Sequence, residues 1–588
     1  MTDSNDKSVD SNKAVETADF DSNNQSESQP VRLQSIKLAA VISAVGCLVL
    51  YVLRLDHIAG LFVDDGWYVL LAQSLASGQG YTLANSPTPG VLPFYPPAFP
   101  FLLSLLYRLY PEFPNNVWLL KSLSVAAILS MGVIAYRYFT RERSLSPLWA
   151  LGIVVIAVIS PPLVFLATST VMSECVFTFF TVAAIAVTER AVRLNKESLP
   201  LMRYIVAGSL LTAIAFLTRS IAIGLLLAAL LYLAKERMWR AAVVFTAVFL
   251  ICVAPWTIYA QRHAPTIEQR QDQGGMMTKS YSEWFWSKRA GVESAGTVTI
   301  AQLPQRVLTN VLEISGRDVG RLITTPIFEA LRDPLEEAKQ NEVRETGRGS
   351  TIWFSFLLSI VALIGFISVV REKITLAEIA IAGQLGIIVL WPWETFRFVL
   401  PLTPFLIFYF VMGCRAIFEW AANFYPVLGK SFNSAMQLRL VGTLIVAIIA
   451  VNLYGHVSYL SKMYSDKLSQ PAWLTMFDDI EAMFRWVKSG VPQDAIIATP
   501  NPPMVYLYTK RKTVDAEAPA YKWDRWKQMG VNYLVRAASV PEPIDPAEAK
   551  FKVLYRSRGN ASIRVIDLGP PNERPDWNST MTVPGTGK

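Results

Sequence analysis

The chain has 588 residues, of which 52% are hydrophobic and only 17% are charged, and its mean hydropathy is +0.33. This composition is too apolar for a soluble globular protein of such length and indicates a polytopic membrane protein. The formal net charge of +8 does not indicate a nucleic-acid partner, because basic residues of membrane proteins accumulate in short loops on one side of the bilayer.

The chain begins with a polar segment. Residues 1–34 are rich in Ser, Asn, Asp and Glu, with Phe20 as the only aromatic residue, and are predicted to form a disordered cytoplasmic tail. Eleven apolar runs follow that suit crossing about 30 Å of hydrocarbon as helices. They lie near 36–54, 117–138, 147–167, 174–190, 203–217, 220–234, 241–260, 351–370, 375–391, 398–414 and 439–457.

Lysine and arginine positions predict the orientation of these spans. With the N-terminus in the cytoplasm, every basic short loop falls on the cytoplasmic side. These loops are 137–143, 190–196, 235–240, 371–373 and 415–439. The exoplasmic side then receives a first loop at 55–116, a large loop at 261–350 and the C-terminal region. We therefore expect a multi-pass protein of the plasma or inner membrane.

The C-terminal region returns to the pattern of a soluble domain. Residues 461–569 contain an amphipathic helix at 477–488, short strands at 495–499 and 533–536, and an antiparallel pair within 551–567. Residues 570–588 are predicted to be disordered. The predicted fold class is thus an α-helical polytopic membrane protein, with its membrane domain at 35–460 and about eleven transmembrane helices, followed by a small exoplasmic α/β domain.

An acidic pair, Asp64 and Asp65, directly follows the first span. Carboxylates at a membrane surface are costly unless a partner or a function holds them, so the pair is a candidate site. One such carboxylate can take the proton of a hydroxyl acceptor. The phosphate leaving group of a lipid-linked sugar would need fixed cations, preferably arginine. Lys121, Arg219 and Arg397 are all predicted at the same outer face.

Several short motifs share this predicted face. They are Asp64-Asp65-x-x-Tyr68, SGQGYT at 77–82, the prolines Pro96, Pro97 and Pro100, MSE at 172–174, LTR at 217–219, APW at 254–256 and RFVLPLTP at 397–404. In this order over about residues 36–460, they resemble the GT-C superfamily of polyprenyl-phosphate-sugar-dependent glycosyltransferases. That group includes protein O-mannosyltransferases, aminoarabinose transferases and bacterial lipopolysaccharide-core glycosyltransferases. The resemblance implies transfer of a sugar from a polyprenyl phosphate to an exoplasmic hydroxyl of a lipid, glycan or protein.

The resemblance also implies catalytic roles. Asp64 is similar to the family's catalytic base, with Asp65 supporting it or exchanging roles with it. Glu174 resembles an acid of the second outer loop that orients the acceptor or the first loop. Many relatives have Asp-Glu where this chain has Asp-Asp, which leaves the assignment of the base between the two aspartates open.

Binding roles follow from the same resemblance. Arg219 and Arg397 resemble cationic positions facing the lipid phosphate, Lys121 stands where a basic residue often opens the second span, and Tyr68 completes the acidic motif. No cofactor is assigned. The four cysteines and three histidines are scattered, so neither disulfides nor a zinc site is predicted, whereas a divalent metal at the phosphate stays open.

Structural alternatives exist for each of these residues. Either aspartate would also suit the N-cap of a helix predicted at 66–77, and Ser173 with Glu174 would suit the start of the fourth span. Lys121 would also suit a snorkelling position at the interface. Functional alternatives are a transporter of envelope glycolipids, a scaffold for an envelope partner, and an enzyme like an O-antigen ligase or polymerase.

Overall fold

The computed structural model describes residues 34–577, with gaps at 91–94, 267–268, 271, 273–279, 289–295, 331–349, 425–433, 467–469, 517–518, 538–544, 571–572 and 574–576. Its helices, numbered in chain order, are α1 (Gln34–Arg54), α2 (Asp64–Ala76), α3 (Ala98–Leu109), α4 (Val117–Arg141), α5 (Pro147–Val158), α6 (Pro161–Ser169), α7 (Glu174–Lys196), α8 (Met202–Thr218), α9 (Ile223–Lys235), α10 (Trp239–Arg262), α11 (Tyr281–Trp286), α12 (Leu303–Glu313), α13 (Val319–Ala330), α14 (Ser350–Glu372), α15 (Leu376–Leu390), α16 (Phe396–Val399), α17 (Thr403–Phe424), α18 (Ser434–Met463), α19 (Ala472–Gly490), α20 (Pro502–Thr509) and α21 (Pro519–Met529). The predicted tail at 1–34 lies outside the described residues except for Gln34, which begins α1.

All eleven predicted spans are helical, but they differ in length. Among the described helices, seven are long and apolar enough to cross a membrane: α1, α4, α7, α10, most of α14, the segment Phe396–Ala421 and the segment Arg439–Met463. The pair α5 and α6, bent by 50°, makes an eighth if it acts as one span. The predicted spans at 203–217, 220–234 and 375–391 correspond to the shorter apolar helices α8, α9 with its preceding turn, and α15. The expected number of eleven full spans is therefore not confirmed.

The long helices expose apolar side chains on their outer faces and bury others between them. Ile251 on α10 and Trp353 on α14 are 72% and 74% exposed. Their neighbours Phe249 and Leu358 belong to the main buried core. A helix that is apolar on all sides needs hydrocarbon around it, so these faces indicate an integral membrane protein.

The basic loops that the sequence assigns to the cytoplasm meet at one end of the bundle. Arg193 donates a hydrogen bond to the Arg141 carbonyl oxygen at 2.8 Å. Lys196 forms an ion pair with Glu236 at 2.7 Å, and Lys235 donates to the carbonyl oxygen of residue 374 at 2.7 Å. Four loops far apart in sequence thus share one surface, as a common positive side of the membrane requires.

The large loop predicted at 261–350 is not a loop throughout. Within it, α12, a π-helical turn at Ile314–Asp318 and α13 run consecutively. Leu322 and Ile323 of α13 lie in the main core, and Asn310 of α12 donates to the carbonyl oxygens of Val389 and Trp391, both at 2.9 Å. Because these helices are too short to be recognised as membrane spans, the sequence did not predict that they pack into the membrane domain.

The C-terminal α/β domain is confirmed. Five described strands form one mixed sheet in the order β2-β1-β3-β5-β4, with β1 parallel to β2 and β3, and β5 antiparallel to β3 and β4. They are β1 (Ile496–Thr499), β2 (Lys512–Asp515), β3 (Val531–Arg536), β4 (Lys552–Arg556) and β5 (Arg564–Asp567). The sequence predicted all of these except β2, which has four residues and no clear alternation.

The expectation of a disordered tail at 570–588 needs one correction. Trp577 is buried and stacks on Phe551, with ring centroids 5.6 Å apart. Its indole nitrogen also donates to Asp545 at 3.3 Å. A single large aromatic side chain therefore anchors this part of the tail to the sheet.

We predict that Gly413→Ala destabilises the membrane domain. A Cβ atom at Gly413 would lie 1.9 Å from the Val361 carbonyl oxygen, and one at Gly365 would lie 1.8 Å from the Tyr409 carbonyl oxygen, because α14 and α17 cross with their backbones in contact. Overpacking there should cost on the order of 3 kcal/mol and lower the melting temperature in detergent. The matched control is Gly386→Ala, which has open space around its Cβ position; an equal response of both variants would contradict the prediction.

Candidate active site

The acidic pair opens α2, which begins at Asp64 rather than at residue 66. The N-cap position is Val63, and no side chain makes a capping hydrogen bond there. Both aspartates lie in the first helical turn, where their charges suit the helix N-terminus. Neither aspartate is the N-cap, so the capping alternative does not explain the pair.

Asp65 organises the loop that precedes the helix. Its side chain is fully buried and accepts hydrogen bonds from the backbone N–H groups of Gly60 at 2.8 Å, Phe62 at 3.0 Å and Gly66 at 3.0 Å. Burial raises the pKa of Asp65 to about 6, although these N–H groups and the charge of Lys121 oppose the rise. Asp65 is therefore a structural carboxylate that points into the protein.

Asp64 faces the opposite way and keeps 24% of its side chain exposed. Its Oδ1 accepts a hydrogen bond from the Tyr95 hydroxyl at 2.7 Å. Its Oδ2 pairs with Nη1 of Arg397, also at 2.7 Å. The two adjacent aspartates thus have separate environments, and only Asp64 is accessible to a substrate.

Glu174 joins both predicted arginines through one oxygen atom. Arg397 donates to Glu174 Oε1 from Nε at 2.9 Å and from Nη2 at 2.8 Å. Arg219 reaches the same oxygen from Nη1 at 2.9 Å. The glutamate has no exposed surface, so water does not screen the ion pairs on that side. Hydrogen bonds between ionised groups are also stronger than those between neutral groups.

The local backbone explains how Arg219 arrives there. Helix α8 ends at Thr218, Arg219 is extended (φ −150°, ψ 123°), and a 3₁₀ turn at Ser220–Ala222 starts the next helix. The break turns the guanidinium toward α7, where it also lies 5.1 Å from the Phe398 ring. Arg219 thus lies at the junction of two short helices, between the apolar runs predicted at 203–217 and 220–234.

Arg397 occupies the rim of the cluster and is 35% exposed. It lies on the single-turn helix α16, after the turn that contains Trp391. Nearby, the Thr395 hydroxyl donates to Asp318 Oδ2 at 2.5 Å, and Asp318 pairs with Arg317 at 2.7 Å. The turn that carries Arg397 is thus tied to the π-helical segment after α12.

Tyr68 forms a wall of the cluster and does not reach its open side. Its ring is buried and packs edge-on against Tyr95 and Phe99, at centroid distances of 5.0 and 4.9 Å. Its hydroxyl lies 3.0 Å from Ser173 Oγ. Burial raises the pKa of Tyr68, so the phenol stays neutral. We therefore correct its expected substrate contact to a positioning role.

Lys121 is not brought into this cluster. Its ammonium group has no exposed surface and pairs with Asp56 Oδ1 at 2.6 Å and with the Asp56 carbonyl oxygen at 3.0 Å. Snorkelling to the interface is likewise contradicted, because the side chain is fully buried. The sequence predicted Lys121 on the same face as the acidic pair, and Lys121 does act electrostatically on Asp65, but the sequence could not reveal that Asp56 already pairs with it.

The sequence did not single out Tyr95, and it indicated Ser173 only as a cap at the start of the fourth span. Tyr95 binds the accessible oxygen of Asp64, and Ser173, the N-cap position of α7, contacts both Tyr68 and Arg219, the latter at 3.3 Å. Ser173 makes no side-chain capping bond, which removes the cap as its explanation. Tyr95 precedes the proline run already noted, and that adjacency was the available signal.

The cluster offers no dedicated metal cage. In the part of the chain that the structure describes, no group of three or more His, Cys, Asp or Glu side chains could hold a metal ion. Asp64 and Glu174 share Arg397 instead. The carboxylates of Asp64 and Glu174 and the guanidinium groups of Arg219 and Arg397 give the cluster equal numbers of acidic and basic groups.

The fold and site define a polytopic helical membrane protein with a carboxylate–arginine cluster at the end of the bundle that contacts the C-terminal sheet. No protein-family model and no curated protein sequence matches the chain. Similar solved structures include ArnT from Cupriavidus metallidurans in the apo state (TM-score 0.53, 12% identity, 91% of this chain and 98% of that one). The oligosaccharyltransferase AglB from Archaeoglobus fulgidus, in complex with an inhibitory peptide and a dolichol-phosphate, is also similar (TM-score 0.52, 12% identity, 85% of this chain and 69% of that one). The chain therefore shares the fold of these two proteins.

We predict that Asp65→Asn removes a pH-dependent step from protein stability. The pKa of Asp65 rises on folding from 3.8 to about 6, so the stabilisation that its neutral form provides is complete below pH 3.8. This stabilisation is lost as the pH rises through about 6, by on the order of 2 to 3 kcal/mol. Thermal melting of the wild type and of Asp65→Asn across this range measures the difference. Asp64→Asn is the control and should keep most of the step, because burial raises the pKa of Asp65 more than the charge of Asp64 does; a step of the same size in Asp65→Asn would refute the prediction.

Proposed function

We propose that this protein is an integral membrane glycosyltransferase that moves a sugar from a polyprenyl phosphate to an exoplasmic hydroxyl group of a lipid, glycan or protein. The observation that carries the proposal is the contact of Arg397 with both Asp64 and Glu174. A base for the acceptor and a cation for the donor phosphate are thereby adjacent. The fold shared with AglB and with ArnT supports the proposal, because those structures hold dolichol-phosphate and undecaprenyl phosphate.

In the proposed reaction, Asp64 takes the proton of the acceptor hydroxyl, and the acceptor oxygen bonds to the anomeric carbon of the sugar. The bond between that carbon and the phosphate oxygen breaks, and its electron pair stays with the lipid phosphate. Attack opposite the phosphate inverts the anomeric configuration. Arg397 and Arg219 stabilise the negative charge that grows on the departing phosphate.

The residues of the cluster differ in exposure, and we assign their roles in the reaction accordingly. Asp64 and Arg397 are each about one quarter to one third exposed, whereas Glu174 has no exposed surface. A substrate therefore reaches the base and the outer arginine, while Glu174 fixes both guanidinium groups from behind. Glu174 is a positioning residue in this proposal, and Asp65 holds the loop that carries the base.

Localisation and orientation follow the charge pattern. We place the protein in the plasma or inner membrane, with its basic loops in the cytoplasm and its cluster and C-terminal domain outside. Asp64 and Glu174 are oxygen donors of the type that Mg²⁺ and Mn²⁺ bind, so assays with and without a chelator decide whether a divalent metal assists the phosphate.

Asp64→Asn should abolish sugar transfer without unfolding the protein. The amide has nearly the size of the carboxylate but cannot accept the proton, and loss of a general base costs about 10² to 10⁴ in rate. Transfer is measured by mass spectrometry of membrane glycoconjugates and lipid-linked sugars, with melting temperature as the folding control. Near-normal turnover in Asp64→Asn would remove Asp64 as the base.

Arg397→Ala should lower kcat/KM for the lipid donor by about 10² to 10³, the usual effect of removing a donor to a developing anion. Arg397→Lys should recover part of the rate, because it keeps the charge but loses the fork that bridges the two carboxylates. Arg219→Ala should also slow transfer. The matched control is Arg193→Ala, since Arg193 pairs with Glu142 at the other end of the bundle. Unchanged kinetics together with a large fall in melting temperature would make Arg397 and Arg219 structural.

Orientation has its own test. Ile300 is 75% exposed beside α12, and Trp239 is 65% exposed at the start of α10. In a cysteine-free background, Ile300→Cys should react with an impermeant thiol reagent added outside intact cells. Trp239→Cys should react only after permeabilisation. The reverse pattern would invert the topology and exclude an exoplasmic acceptor.

A further inference from the structure

A second groove, lined by both apolar and polar side chains, lies where the membrane domain meets the C-terminal domain. It has a volume of about 700 Å³, and its lining comes from the start of the first outer loop, the start of α4, the end of α18 and helix α19. Asp64, Glu174 and the two arginines of the cluster are not among the lining residues. The groove is therefore distinct from the site of the proposed reaction.

Hydrogen-bond acceptors and aromatic faces dominate this lining. Asp56, Asp478 and Glu481 contribute carboxylates, and Trp118 and Tyr464 contribute rings that are 55% and 68% exposed. Of the described residues that line the groove, none is lysine or arginine. The three carboxylates disfavour a phosphate or another anion, while His57, Asn115 and Gln470 add side chains that can donate hydrogen bonds to a ligand.

Asp56 retains acceptor capacity at the groove wall. Its side chain is 2% exposed, and its Oδ1 accepts from Lys121 at 2.6 Å and from the backbone N–H of Ile58 at 2.9 Å. Its Oδ2 is buried and has no hydrogen-bond partner among the described residues. A buried acceptor without a partner is costly, so this oxygen is the atom of Asp56 that an added hydrogen-bond donor would stabilise.

We infer that this groove binds a saccharide that is neutral or carries an amino group. Carboxylates accept hydrogen bonds from sugar hydroxyls, and exposed aromatic rings cover the apolar face of a pyranose. The volume lies in the usual range of small-molecule sites. Lys121 compensates the charge of Asp56, and Asp478 and Glu481 add two further acidic side chains to the lining, which disfavours an acidic saccharide and suits hydroxyl or amino groups.

The groove adjoins the start of the loop that carries the proposed base. Asp56 begins the segment that ends in Asp64 and Asp65, and Lys121, its partner, also acts electrostatically on Asp65. A saccharide bound at Asp56 would lie behind the loop that carries the proposed base. The inference goes beyond the proposed function and does not depend on the transfer reaction.

The test measures binding of defined trisaccharides to the purified full-length protein in detergent by isothermal titration calorimetry. The probes are a glucosamine trimer, an N-acetylglucosamine trimer, a galacturonic acid trimer and, as a peptide probe, trilysine. We expect at least one of the first two to bind and the acidic trimer to be rejected. Trp118→Ala and Glu481→Gln should each weaken binding by roughly tenfold, or about 1.4 kcal/mol.

Two controls keep the outcome separate from folding and from catalysis. Trp239→Ala removes a tryptophan at the far end of the bundle that is 65% exposed, against 55% for Trp118, and should bind like the wild type. Asp64→Asn should also bind normally, so loss of transfer and loss of groove binding are distinguishable. Failure of both amino-bearing and neutral trimers to bind, equal binding of the acidic trimer, binding of trilysine alone, or equal effects of Trp118→Ala and Trp239→Ala would overturn the inference.

Discussion

One buried oxygen atom, Oε1 of Glu174, accepts hydrogen bonds from both guanidinium groups of the cluster. Desolvating a carboxylate and two arginines is expensive, and only their close mutual pairing compensates for it. Removing Glu174 would leave the Arg219 guanidinium, which is 13% exposed, without its carboxylate partner, and an unpaired charge in such a place is destabilising. The first turn of α7, the junction after α8 and the turn before α17 are therefore held in one arrangement.

The two adjacent aspartates have different surroundings and point in opposite directions. Asp65 lies on the inner side of the loop and accepts three backbone N–H groups, which fixes the backbone from Gly60 to Gly66. Asp64, one residue earlier, is directed outward onto Arg397. A rigid support below an accessible carboxylate is the arrangement that the proposed role of Asp64 as a general base requires, since small displacements of a base reduce the rate strongly.

Elements far from the cluster support it. Asn501 of the C-terminal domain donates to the Gly60 carbonyl oxygen at 2.8 Å, and Gly60 has a φ of 89° and lies against Met504. A side chain at residue 60 would strain the backbone and crowd Met504. On the other side, α12 and the π-helical turn bind the segment from Trp391 to Thr395. The C-terminal domain therefore helps to hold the loop that carries Asp64 and Asp65.

The sequence by itself determined the membrane class, the helical segments, the α/β character of the C-terminal domain and the motifs that resemble the GT-C superfamily. These features depend on local composition and on charge along the chain, which need no knowledge of tertiary contacts. It also selected Asp64, Glu174, Arg219 and Arg397, which the structure brings together. The sequence did not predict which charged residues pair. Arg397 and Asp64 are 333 residues apart, and no residue adjacent to Lys121 in the sequence indicates that it pairs with Asp56. Only the tertiary structure decided which charges meet and which aspartate faces outward, because packing determines both.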